Sequence, residues 1–393
     1  MHNSINKFFL FQAGALIVSM ITAIFLIRVL GSTEYGFFSF YLVIADFLKT
    51  SVLLGLDQSV THLKSREKNI DVHNIAIFNS KLFVFLILLP FLFFAQDNYV
   101  RVSLLIFMFA ALIDFSYLHM EKSNLEALAK VTFFSRTLFF LIIIILGKSN
   151  LPYQFFFLGF SVAILIFSIC ILFLNNQLKS IKFDLIAGFR LLPEVVSVGL
   201  SKIFLLLEVL IVLFILKQNM TYQIFGYFMI LYNFTKALSG LLSISITPVY
   251  KRVTLNNDSL NQSLRLLCAL GFCFLILGLL ADYVLPAAFV KSIIKLDVNE
   301  DLLKLWLAWG IFYSFVIFFS SIYINVVLIA FKKLRSFYYS RFLYITLAII
   351  LISLSHIKTP TMPIIILIVS ESVILILALL SGFRKKPSDI NIP

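Results

Sequence analysis

The sequence predicts an all-α integral membrane protein of about 12 transmembrane helices, in two six-helix bundles related by a pseudo-two-fold axis along the membrane normal. Three observations carry this. The chain is 61% apolar and only 13% charged, with a mean hydropathy of +1.03, whereas soluble domains carry roughly 25% charged residues. Its apolar residues are gathered into runs of the length a helix needs to cross a bilayer, about 20 residues. Finally, the stretch from Tyr35 to Asp57 has a second copy from Phe225 to Thr247, at a constant offset of 190 residues that lays Gly36 on Gly226, Phe38 on Phe228 and Asp46 on Lys236.

The spans follow in order. The first, about 8–29, begins after Lys7 and is too long for a signal peptide and lacks a small-residue cleavage site. Gly31 marks the tight connection to the second, 36–60. Spans three (75–95) and four (101–119) meet at Asn98. Spans five (131–147) and six (153–174) meet at Pro152. A connection at about 175–193 is the longest on its side. Its Lys-Phe-Asp-Leu-Ile-Ala-Gly-Phe-Arg-Leu-Leu-Pro run reads as a short amphipathic piece lying along the membrane surface. Spans seven (194–216), eight (222–248), nine (265–285), ten (305–331), eleven (338–355) and twelve (363–382) complete the second set, with Pro360 between the last two. The expected organisation is an N-terminal bundle 1–174, a cytoplasmic linker 175–193 and a C-terminal bundle 194–393. Substrate sites in such parallel repeats lie between the halves.

Orientation follows from the positive-inside rule. Of the 32 Lys and Arg residues, twenty-one fall in one set of loops and their flanking turns, eight in the other, and Lys49, Lys202 and Lys236 lie inside spans. Both termini and the even-numbered loops are expected to be cytoplasmic. Arg341, beside the richer set of loops, counts among the twenty-one. The net charge of +13 is thus a property of short loops and does not point to nucleic acid. The longest outer loop is about 286–304, so no extracytoplasmic domain is expected.

The chemistry lies in ionisable residues at membrane depth. Each costs roughly 2.5–3.5 kcal/mol to insert, so each is a candidate for function. At 100° per residue, Tyr35, Ser39, Asp46, Lys49, Thr50 and Asp57 form one polar stripe, and Tyr232, Asn233, Lys236, Ser239, Gly240, Ser243 and Thr247 form its counterpart. Such stripes turn toward protein or a wet cavity; alternatively Asp46 and Lys49 only lock helices together as an i,i+3 pair. Glu208 sits near the centre of span seven, sharing a face with Ser197 and Ser201, while Lys202 lies nearly a quarter-turn away. Gln12 and Ser19 form a weaker line in span one, with Arg28 at its outer mouth. Glu371 is central in span twelve between Ser370 and Ser372, in a helix with few polar partners, where burial can keep a single acid neutral. Asp114 is its analogue in span four. Arg28, Lys81 and Arg136 read as interfacial side chains whose long stems snorkel to the headgroups.

A phosphate-bearing lipid headgroup needs mobile cations such as Lys49, Lys202 and Lys236. Asp46 and Glu208 then act either as counter-ions for those lysines or as carriers of a coupled proton or sodium ion, and Glu371 joins the second set. No nucleotide-binding Gly-rich loop, hydrolase elbow, zinc-protease motif or paired-cysteine motif occurs. Cys170, Cys268 and Cys273 lie in apolar runs, the five histidines make no metal spacing, and no cofactor is called for. Minimal loops argue for transport over catalysis, so the chain is expected not to be an enzyme.

The run Arg28-Val-Leu-Gly-Ser-Thr-Glu-Tyr-Gly36, followed by Leu54-Gly-Leu-Asp57, resembles the opening of bacterial polysaccharide flippases. These are the O-antigen (Wzx-type) branch of the multidrug/oligosaccharidyl-lipid/polysaccharide (MOP) exporter superfamily. The linker ending at Pro193, the acid Glu208, Phe225-Gly-Tyr opening span eight and Pro248 at its inner end are similar too. The resemblance implies a twelve-helix alternating-access transporter in the bacterial cytoplasmic (inner) membrane. Its cargo would be an undecaprenyl-pyrophosphate-linked oligosaccharide, an O-antigen or capsule repeat unit, moved from inner to outer leaflet. A glycan polymerase and a chain-length regulator would be partners, beside the lipid-linked oligosaccharide and membrane lipids. Asp46 and Glu208 fall where the family tends to carry intramembrane charge. The chain departs from the pattern in having Glu rather than Asp at 208 and Lys236 in span eight. It lacks two extra helices found in peptidoglycan-precursor flippases, which argues against that cargo. Two rivals remain: a multidrug and toxin extruder of the same superfamily, which favours an acid-rich pocket, and a membrane glycan polymerase, which favours a large outer loop.

Overall fold

A computed structural model describes residues 2–54, 70–95, 97–116, 125–149, 151–174, 182–243, 260–284, 300–323, 334–355 and 357–382. Asp57, Thr247, Pro248 and most of the expected outer loop at 286–304 lie outside these. Among the described residues every regular element is helical: α1 (His2–Val52), α2 (Ile70–Leu88), α3 (Asn98–Leu112), α4 (Leu125–Leu146), α5 (Tyr153–Leu174), α6 (Leu185–Asn219), α7 (Tyr222–Ser243), α8 (Leu260–Val284), α9 (Glu300–Ile322), α10 (Leu334–Leu354) and α11 (Thr361–Gly382). A chain in hydrocarbon must satisfy its backbone within each segment, so apolar runs of this length become helices.

Eight described stretches are long and apolar enough to cross a membrane, and Asn98–Leu112 and Thr361–Ile376 are shorter apolar helices. The stretch Leu10–Val52, at 43 residues, is twice a bilayer crossing and holds two arms. Gly31 separates them at φ 72°, ψ 175°, a backbone region open essentially to glycine alone. With α7 added and the two arms of α1 counted separately, the eleven described helices overlap the twelve expected spans. The protein is a multi-pass membrane protein.

The chain divides into Met1–Leu210 and Ile211–Pro393, the boundary falling inside α6. In the first unit α1 packs along α4 and also touches α2, α3 and α5, while α3 and α4 both pack on α5. Pro90 ends α2 by removing a donor, and a short 3₁₀ turn, Leu89–Phe94, follows. Asp97 caps α3 by accepting from the backbone N–H groups of Tyr99 at 2.7 Å and Val100 at 3.1 Å. In the second unit α9 is central, packed on α7, α8 and α11, and α10 packs on α11. α7 and α9 approach closely at Gly310, where an added Cβ would lie 2.9 Å from Leu231 Cδ1 and 3.3 Å from Thr235 Oγ1. Hydroxyls cross the same seam, with Ser314 donating to the Thr235 carbonyl at 3.2 Å.

The linker departs from expectation. The surface piece and span seven are one helix, α6, running 35 residues through Pro193. At about 1.5 Å per residue it is longer than a bilayer core is thick. Its entry is fastened to α2. The Asn79 amide donates to the Lys182 carbonyl at 2.6 Å and accepts from the Asp184 N–H at 2.9 Å, and the Ser80 hydroxyl donates to the Gly188 carbonyl at 2.7 Å. Edge-on ring pairs Phe78–Phe183 and Phe83–Phe189 flank these bonds. A Cβ at Gly188 would come within 2.6 Å of Asn79 Cβ, so the clamp requires glycine there.

Candidate functional site

In the first unit the second arm of α1 turns its polar stripe inward. Tyr35 and Ser39 are buried, and Asp46, Lys49 and Thr50 are half-buried. Helix α5 faces them with aromatic rings two turns apart. The Arg136 guanidinium, from α4, lies 5.5 Å from the Phe160 ring centre, and Lys49 Nζ lies 5.9 Å from that of Phe167. Arg136 is close enough to feel the Asp46 carboxylate. Phe160 is braced by Phe139 at 4.4 Å and Phe107 at 5.5 Å between ring centres. The result is two cations seated on consecutive rings of one helix face, with one carboxylate beside them. Cation–ring contacts add about 0.5–2 kcal/mol according to their desolvation, so both cations are held in place within an apolar bundle. A half-buried guanidinium and ammonium still present donors to an anion.

This corrects the reading of Arg136 as a snorkelling side chain: it is half-buried and engaged by Phe160. Lys81 needs a larger correction. It is 0% exposed, its ammonium donates to the Asp114 carbonyl at 2.6 Å and it sits 5.0 Å from the Phe115 ring centre. It closes the carbonyl end of α3 rather than reaching for headgroups. Asp114 is buried, and its carboxylate accepts the Ser116 N–H at 2.8 Å.

The other expected residues are more scattered. Arg28 is exposed on the first arm of α1. Ser19 donates to the Ala15 carbonyl of its own helix at 2.8 Å, so the weak polar line of span one is self-satisfied there. On α6, Glu208 is 3% exposed, Ser201 is buried and Lys202 is half-buried. At the end of the bundle where α1 turns, Tyr41 and Tyr153 stack with 6.0 Å between centres, and the Tyr153 N–H donates to Glu34 at 3.0 Å.

In the second unit Asn233 is half-buried, and Lys236 is exposed with Nζ 5.7 Å from the Tyr232 ring centre. Glu371 is not a lone acid. It is 6% exposed and receives Arg341 Nη2 on both carboxylate oxygens, at 2.7 and 2.9 Å. The Ser320 hydroxyl donates to the same carboxylate. Arg341 is itself 4% exposed and stacks at 4.9 Å on the Tyr344 ring. It is a buried partner on α10, not a loop cation. The one sequence signal was local, an Arg with an aromatic residue three positions on, which share a helix face.

No family model matches the sequence, and no curated protein matches it. Solved structures do. The inward-facing conformation of a multidrug resistance MATE family transporter of the MOP superfamily superposes with a TM-score of 0.67 at 11% identity, covering 94% of each chain. The lipid II flippase MurJ in an inward closed conformation gives 0.67 at 14% identity, over 96% of this chain and 88% of that one. A MOP superfamily transporter from Pyrococcus furiosus gives 0.58 at 13% identity, over 97% and 93%. The chain therefore has the fold of MOP-type transporters.

Proposed function

We propose that this MOP-type fold works as a flippase that carries a lipid-linked oligosaccharide, an undecaprenyl-pyrophosphate-linked O-antigen or capsule repeat unit, from the inner to the outer leaflet of the cytoplasmic membrane. The observation that carries this reading is the pair Lys49 and Arg136, two cations held at membrane depth on the rings of Phe167 and Phe160. Cations kept in hydrocarbon at this cost suit an anionic headgroup, and a diphosphate is the anionic part of a polyprenyl-linked glycan. Lys202 adds a further half-buried cation in the same unit, and Asn233 and the exposed Lys236 are the contributors we assign in the second. Asp46 serves as the resident counter-ion of Arg136 when headgroup is absent, or carries a coupled proton or sodium ion, as Glu208 does in the same reading. Both termini are cytoplasmic, following the charge asymmetry of the loops. A glycan polymerase and a chain-length regulator would act on the delivered units.

The fold alone equally suits a multidrug extruder, since MATE and MurJ structures superpose equally well. The sign of the embedded charge favours the flippase. Deletion of the gene separates the readings. Loss of surface polymer, with single repeat units held in the inner leaflet and dye sensitivity unchanged, is the expected result. Intact polymer with raised sensitivity to cationic dyes would establish the extruder. Units that reach the outer leaflet unpolymerised would establish a polymerase.

A further inference from the structure

The second unit contains a buried polar cluster that the proposed headgroup chemistry does not use. Four helices converge on it: α11 supplies Glu371, α10 supplies Arg341 and Tyr344, α9 supplies Ser320 and Tyr313, and α7 supplies Tyr232. Each of these six residues is buried. Tyr313 shares a hydrogen bond with Tyr344 and feels Glu371 and Tyr232. Without Arg341, this would be a buried carboxylate with a serine hydroxyl on it and a hydrogen-bonded tyrosine pair nearby, oxygen donors of the kind that hard cations take. Sodium coupled to transport would be expected to use such a place. Here the positive charge is covalently part of the chain. The guanidinium donates to both Glu371 oxygens and is fixed from behind by the Tyr344 ring.

We infer that Arg341 is the resident cation of an alkali-metal-type site built around Glu371, so that no free ion is bound at this place during transport. The reasoning is electrostatic. A sodium ion entering beside Glu371 would sit within a few ångströms of a guanidinium that cannot lose its charge, in an interior where like charges repel far more strongly than in water. A protonated Glu371 would leave the same guanidinium without its counter-charge. Either event requires Arg341 to leave, and its stem is enclosed by the helices that make the site. The inference concerns the chain's own charges and does not depend on the identity of the cargo.

It also makes the site recoverable. Arg341→Met keeps the apolar part of the stem, removes the guanidinium and vacates its place, and leaves Glu371 with the Ser320 hydroxyl. That variant should gain what the native protein lacks. The test is the thermal stability of purified full-length protein in sodium chloride against choline chloride at equal ionic strength. The native protein should melt at the same temperature in both salts. Arg341→Met should melt lower in choline and regain several degrees in sodium, with a saturable dependence on sodium concentration. Arg341→Met/Glu371→Met, which removes both charges, should recover stability in choline and lose the sodium response. If Arg341→Met fails to fold, the native protein and Glu371→Gln still decide the matter. A sodium-dependent rise in the native protein that Glu371→Gln abolishes would overturn the inference. So would a double variant that keeps the sodium response.

Discussion

The ammonium of Lys81 donates a 2.6 Å hydrogen bond to the main-chain carbonyl of Asp114, inside a bundle that shields Lys81 wholly from solvent. The bond joins the middle of α2 to the residue just past the end of α3, where carbonyls lack intrahelical partners. Removing the ammonium leaves that carbonyl buried without this donor. A buried polar group stripped of its partner costs about 1–3 kcal/mol, more when a charge is involved. Lys81→Met should therefore lower the thermal stability of the detergent-solubilised protein by several degrees, measured by the fraction surviving as a monodisperse peak after heating. Lys81→Arg restores the charge without the shape and should recover only part. A Lys81→Met protein that melts like the native one would return Lys81 to a headgroup-facing role.

At Gly31 the cost of substitution is conformational, not steric. The residue holds φ 72° with nothing within 4 Å of an added Cβ. The handedness of the backbone, rather than any neighbour, requires glycine. Strain of this kind is on the order of 1–3 kcal/mol. Gly31→Ala and Gly31→Leu should consequently lose similar stability in the same heating assay. A loss that grows with side-chain size would mean that a neighbour, not the backbone, sets the requirement.

Gly310 makes the opposite case. The first atom a Cβ would meet is the terminal methyl of Leu231, at 2.9 Å, which can swing aside. Gly310→Ala should thus be tolerated. Gly310→Val must also displace the buried Thr235 hydroxyl, which donates to the Leu231 carbonyl at 2.9 Å, and overpacking costs about 1–3 kcal/mol. Leu231→Ala should recover part of the Gly310→Val loss, read as membrane protein level and melting temperature. Equal behaviour of the Ala and Val variants would show that α7 and α9 have slack at this point.

These three residues also show what a sequence reveals and what it conceals. Gly31 was legible as a break because two apolar runs abut there, and hydropathy with backbone saturation settles where membrane helices begin and end. Asp46 and Lys49 were legible as an inward stripe because helical periodicity is a local property. Lys81 and Arg341 were not legible. Each lies within two turns of a predicted span end, where a snorkelling side chain and a buried one look alike along the chain. What decides between them is a partner brought by folding: the end of α3 for Lys81, and a carboxylate 30 residues later for Arg341. Glu371 was misread as solitary for the same reason. Helix α6 was expected to divide at Pro193, but the structure continues through it and fastens its start to Asn79 and Ser80. Those contacts span more than 100 residues and leave no local pattern.

The embedded cations of the first unit give the sharpest functional prediction. Lys49 and Arg136 lie on rings seven residues apart on α5, and Arg136 is within the influence of Asp46. If both hold an anionic headgroup, Lys49→Ala and Arg136→Met should each cut surface glycan several-fold while the protein remains in the membrane. Asp46→Asn should leave Arg136 uncompensated and lower the protein level. The double variant Asp46→Asn/Arg136→Met should restore that level but not the glycan. Neighbouring charges of this kind couple by about 0.5–3 kcal/mol, enough to be seen in a cycle of the four proteins. The decisive comparison is between glycan and protein level in the double variant. Recovery of both would reduce Arg136 to a structural partner of Asp46. Recovery of protein alone would show that the pair serves transport beyond packing, and Arg136→Met, which keeps the Asp46 carboxylate, then tells the missing headgroup donor from the missing acid.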